Sequence, residues 1–186
     1  MTISNWLEEG LRGAIAAVFF EGIRCRNPGA IVNAVLAFAA TYFPVVVEHQ
    51  YGVTLRPWQR VYVKTGMLMH AVGMLGPYDD IWWWDHLTHT HSATILGGFI
   101  HVISRQRDRD PRPHVLAGVF AIGVLWELAE YAIHFLSRRM GLDPLLVSYG
   151  KKDTFLDIVF NLFGAFLVIV FADTFLENLT QSDGDS

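Results

Sequence analysis

Residues 29–47 read GAIVNAVLAFAATYFPVVV, a run without a single charged side chain. A helix that crosses the hydrocarbon core of a bilayer needs about 20 mostly apolar residues, because each residue advances it by only about 1.5 Å. This run meets that requirement unaided. Trp58–Pro77 is a second candidate, with Arg60 and Lys64 confined to one end, where their aliphatic stems let the charged heads snorkel. Trp83–Ser104, Pro113–Ser137 and Asp153–Asn178 follow, each apolar on most faces but carrying acids and histidines. Leu11–Ile23 is shorter and interrupted by Glu21, which suits either a span or a helix lying in the interface. The expected fold is all-α: a polytopic transmembrane helical bundle of five to six spans, near 29–47, 58–77, 83–104, 113–137 and 153–178, with 11–26 as the extra span or interfacial helix.

Composition agrees. Of 186 residues, 52% are apolar and only 17% charged, where soluble domains carry about a quarter. Val115–Trp126, and Ile158–Ala172 apart from Asn161, are apolar around the full helical turn, whereas the surface helix of a soluble bundle shows a polar face. The formal charge of −4, from 14 basic and 18 acidic residues, gives no general attraction for nucleic acid; membrane lipid is the expected partner, and no oligomeric interface is read. Cys25 stands alone, so no internal disulfide, thiolate zinc site or CxxC redox motif is available. Residues 1–178 read as one helical membrane domain, without linker or repeat, and 179–186 as a disordered acidic tail. Glu8 and Glu9 stand where a removable signal peptide carries basic residues.

The loop 105–112 holds four arginines, while Tyr78–Ile81 holds no Lys or Arg, which places the arginine loop in the cytoplasm of a multi-pass cell-membrane protein. Arg56 and Arg60 fall on the same side; Arg24, Arg26, Arg138, Arg139, Lys151 and Lys152 fall on the other and oppose the assignment. Trp58, Tyr78, Trp82, Trp83 and Trp84 sit at span ends, as an aromatic belt at headgroup level.

Ionisable groups within a span cost about 2.5–3.5 kcal/mol each on insertion scales and therefore face a cavity or one another. At 100° per residue, Asp85 and His89 lie about 40° apart, with His86 on the flank. Glu127, Glu130 and His134 share a sector of about 60°, and Asp153, Asp157 and Asn161 one of about 80°. Alternating span direction puts all three stripes, and His70, in the same outer half of the membrane. This candidate pocket of carboxylates and imidazoles is the ligand chemistry of a divalent transition metal (zinc, iron or manganese), with Asp85, His89, Glu130 and Asp157 as first ligands. The spacing is neither the Glu-x-x-His of di-iron bundles nor a His-Glu-x-x-His zinc motif. Two other readings stand beside it: a hydrogen-bonded network that holds the helices together, with Thr88, Thr154 and Asn161 satisfying partners, and a proton or ion path. His49, His91, His101 and His114 lie off the stripes and read as packed or interfacial, and Gly97-Gly98 and Gly164-Ala165 as close-packing points.

Pro77-Tyr78-Asp79 leading into Trp84-Asp85-His86-Leu87-Thr88-His89, then Trp126-Glu127-Leu128-Ala129-Glu130-Tyr131, then Asp153-Thr154-Phe155-Leu156-Asp157 with Asn161 and Gly164-Ala165, resembles the YjdF-type small integral membrane proteins over residues 60–170. More distantly, the Asp-x-x-x-His, Glu and Asp-x-x-x-Asp-x-x-x-Asn-x-x-Gly blocks resemble the VanZ-like proteins. The first likeness implies a polytopic helical membrane protein of six spans and supplies no reaction. The expected function is that of an integral membrane protein with an intramembrane polar pocket, metal-binding and, if an enzyme, hydrolytic toward a lipid or lipid-linked substrate. The alternatives are a non-catalytic structural or lipid-binding role, and ion movement.

Overall fold

The structure, a computed structural model, describes residues 3–180. Their regular structure is all helical, without strands: α1 (Ile3–Arg24), α2 (Pro28–Ala40), α3 (Phe43–Tyr51), α4 (Pro57–Gly73), α5 (Pro77–Asp80), α6 (Trp84–Gln106), α7 (Pro111–Arg139), α8 (Lys151–Phe175) and α9 (Glu177–Thr180). By length and composition three segments suffice to cross a membrane: Pro28–Tyr51, Pro111–Arg139 and Lys151–Phe175.

Two of the expected spans are interrupted, for one reason. A helical proline has no N–H to donate, and its ring collides with the carbonyl four residues earlier. Pro44 stands four residues after Ala40, where α2 ends, so the run 29–47 is broken at Thr41–Tyr42. Pro77 stands four residues after Gly73, where α4 ends; the stretch expected to run to Pro77 stops there, and Pro77 starts the short α5. Between α1 and α2, Arg26 turns the chain with a left-handed φ of 54°, and Pro28 takes the first helical position. Asn27 caps α2 by accepting from Ala30 N at 2.9 Å, and its amide donates to Met74 O, also at 2.9 Å.

The chain divides into two compact units, and the divisions fall inside α6 and α7. The first comprises residues up to Thr88 with Ala129–Ser148, the second His89–Leu128 with the chain from Tyr149 on. In the first unit α1, α2 and α4 pack together around Ile15, Val18, Ala34, Ala37 and Ala71, with Phe19, Met67, Leu68 and Val72 alongside. The buried face of α2 is Gly29, Ala30, Ala34 and Ala37. Small side chains at this spacing let backbones approach closely, which matters where lipid removes the hydrophobic drive between helices.

The second unit has a core of Ala93 from α6, Val115 and Val119 from α7, and Ala165, Val168 and Ala172 from α8. The buried residues of α7 recur every fourth position: Pro111, Val115, Val119, Gly123, Glu127. Those of α8 run Asp157, Asn161, Gly164, Ala165, Val168, Ala172. Both seams are apolar and small over most of their length and become polar at one end. α9 follows α8 with Leu179 buried, and residues 181–186 of the expected tail lie outside the described residues.

Candidate functional site

The polar end of the second unit's seam gathers side chains that are expensive to bury. Asp157 is 1% exposed and His89 7%, and Glu127 and Asn161 are buried as well. α6 and α8 approach closely here: a Cβ on Gly164 would stand 2.6 Å from Thr90 O and 2.7 Å from Ala93 Cβ. One residue from this contact, His89 Nε2 lies 3.9 Å from Asp157 Oδ1. That separation exceeds a hydrogen bond. Thr90 Oγ1 donates to Phe160 O at 3.3 Å, a second tie between the two helices. On α7, Gly123 makes room for Asn161, whose Nδ2 would lie 2.9 Å from a Cβ at that position. Asp85, one turn before His89 on the same helix, belongs to the first unit and is half-buried there. Asp153, one turn before Asp157, is half-buried beside the chain reversal at Gly150, whose φ of 106° suits glycine.

The other expected residues have their own surroundings within the first unit. His70 Nδ1 lies 2.8 Å from Tyr78 Oη, Tyr78 Oη donates to Thr88 Oγ1 at 3.4 Å, and Thr88 Oγ1 donates to Asp85 O at 2.8 Å. Tyr78 therefore sits in a half-buried chain of hydrogen bonds, while Trp82 is 81% exposed. His86 is buried against the edge of Trp82. His134 is half-buried and its Nδ1 accepts from Ser148 N at 3.3 Å; Glu130 is half-buried on the preceding turn of α7.

Three charged groupings escaped sequence reasoning. Lys64, expected to snorkel, is 1% exposed and donates through Nζ to Glu8 Oε2. Arg60 Nη2 donates to Glu48 Oε1 at 2.8 Å. His101, expected as packed or interfacial, is buried with Nε2 3.3 Å from Asp173 Oδ1, which Arg105 Nη2 engages at 2.7 Å. The available signal for the last was charge at matching depth on two neighbouring spans. For the first there was none, because Glu8 precedes the stretch read as apolar.

The family model described as "Predicted membrane protein (DUF2238)" matches residues 9–178, and the YjdF-type proteins are that family. A Thermotoga maritima protein described as "Uncharacterized protein" is 29% identical over 138 residues, 67% of each chain. No solved structure matches.

Proposed function

The chain belongs to the DUF2238 family of membrane proteins, and on that premise we propose that it holds a divalent transition metal, zinc, iron or manganese, at the polar end of the α6–α8 seam. His89 and Asp157 are the principal ligands, and Glu127 of α7, buried in the same unit, is the carboxylate available to complete the set or serve as base. The supporting observation is the buried His89–Asp157 pair at 3.9 Å. Two ligands on one tetrahedral ion, each bonded at about 2.1 Å, stand about 3.4 Å apart, so the gap is close to the size of a bridging ion. An ion so held brings the pKa of a coordinated water toward neutrality, which suits hydrolysis of a lipid or lipid-linked substrate. By the arginine count of the loops, this end of the seam faces the outer half of a cell membrane.

Elemental analysis of detergent-purified protein, prepared without chelator, tests this. The expected content is at least about half an equivalent of one transition metal, lost in Asp157→Asn and His89→Ala; less than about a tenth of an equivalent defeats the proposal. A second reading, a structural polar network, draws support from the His70–Tyr78–Thr88 relay. It expects Glu130→Gln, nearly isosteric, to leave stability and function unchanged.

A further inference from the structure

Away from that seam, the charge pairs of the first unit include Lys64 with Glu8 and Arg60 with Glu48. Glu48 Oε1 also accepts from Leu55 N at 2.8 Å, which ties the pair to the segment leading into α4. Glu8 and Arg60 line one cavity of about 190 Å³, together with Ser4, Asn5, Leu55 and Pro57. That volume is below the roughly 300 Å³ at which drug-sized pockets begin, so it suits a small polar group.

We propose that this cavity binds a zwitterion carrying an ammonium and a phosphate, with the ammonium on Glu8 and the phosphate on Arg60. Glu8, Glu48, Arg60 and Lys64 sum to zero charge. A simple anion entering the cavity meets the Glu8 carboxylate and a simple cation meets the Arg60 guanidinium, whereas a zwitterion is matched at both ends. Both groups have capacity to spare. A carboxylate offers about four acceptor positions, and Lys64 Nζ takes one on Glu8. A guanidinium offers five N–H donors in a fork that fits phosphate, and Arg60 Nε is buried without a hydrogen-bond partner among the described residues. The surroundings favour a lipid as the source: Ile3, Trp6, Leu7 and Trp58, adjacent in sequence to the lining residues, are all exposed. Indoles and aliphatic groups around a polar cavity are what headgroup level provides.

The test is native mass spectrometry of the full chain, released from micelles equilibrated with phosphatidylethanolamine, phosphatidylcholine or phosphatidylglycerol. Phosphatidylcholine lacks the ammonium N–H donors and phosphatidylglycerol lacks the cation, so phosphatidylethanolamine is expected to be retained about tenfold better than either, the factor for one charge-assisted hydrogen bond. Arg60→Lys keeps the charge and the Glu48 pairing but removes Nε–H, and Ser4→Phe fills the cavity while leaving both ion pairs in place. Each is expected to erase most of the preference, with circular dichroism confirming the fold. Equal retention of the three lipids, or an unchanged preference in the folded variants, overturns the proposal. Soluble phosphoethanolamine separates the two sources: displacement of bound lipid at millimolar concentration identifies the free zwitterion as sufficient, and failure to displace identifies the membrane lipid.

Discussion

Gly164→Ala is the perturbation that connects packing to the candidate metal centre most directly. The added Cβ meets Thr90 O at 2.6 Å and Ala93 Cβ at 2.7 Å. Carbon atoms in contact prefer about 3.5–4.0 Å, so α6 and α8 must separate by about 1 Å. One of the two opposing atoms is a backbone carbonyl, which cannot rotate aside as a flexible side chain can. Overpacking of this kind costs about 1–3 kcal/mol, which corresponds to a fall in Tm of about 4–8 °C for about 2 kcal/mol in a chain of this size. His89 neighbours Thr90, so the same displacement carries the His89–Asp157 separation from 3.9 Å to about 5 Å. Two ligands bonded at about 2.1 Å cannot stand more than about 4.2 Å apart on one ion. The expected result is a lower Tm in detergent together with metal content reduced to background. An unchanged Tm with metal retained refutes both the packing argument and the assignment of the ion to this pair.

Gly10 and Gly13 are the matching controls: a Cβ on either meets nothing within 4 Å, so Gly10→Ala and Gly13→Ala are expected to stabilise α1 by about 0.5–1 kcal/mol in thermal melts, and a loss would show that these positions pack against something. Lys64→Met leaves the buried Glu8 carboxylate without its cation and is expected to cost about 3–5 kcal/mol, while Glu8→Leu combined with Lys64→Met recovers most of it; a double-mutant cycle with no coupling contradicts the pairing. Asn27→Ala removes the cap of α2 and the bond to Met74 O, with an expected loss of about 1–2 kcal/mol and a drop in Tm as the readout. Cys25 is exposed and is the single cysteine. If the loop charges orient the chain as the sequence reading expects, an impermeant maleimide labels it in right-side-out vesicles; labelling in inverted vesicles alone reverses that orientation.

The helical class, the membrane setting and the family likeness were legible because they rest on properties of short windows: charge-free length, apolar periodicity, and blocks such as Trp84–His89. The placement of Asp153, Asp157 and Asn161 on one stripe of α8 was equally readable, since a helix fixes relative angle from spacing alone. Helix ends were less so. Pro44 and Pro77 lie within or at the edge of apolar runs that hydropathy averages smoothly, yet each removes a donor and collides with a carbonyl, so the helix before it stops. Lys64 was misread for a related reason. Snorkelling assumes water or headgroups within reach, and whether a lysine finds them depends on which helix covers it.

Residue order by itself determined that lipid-soluble helices form and which of their faces carry acids and imidazoles, because backbone geometry converts spacing into angle without reference to any other part of the chain. Only the tertiary structure decided which charges meet. Glu8 and Lys64 are 56 positions apart, and His89 reaches Asp157, while His101 reaches Asp173, through pairing of helices distant along the chain. Coulomb attraction and close packing act through space, so their partners are set by how the small residues of one helix admit the backbone of the next. At Gly164 that admission brings α8 against Thr90 and Ala93, and the buried histidine–carboxylate pair follows from it.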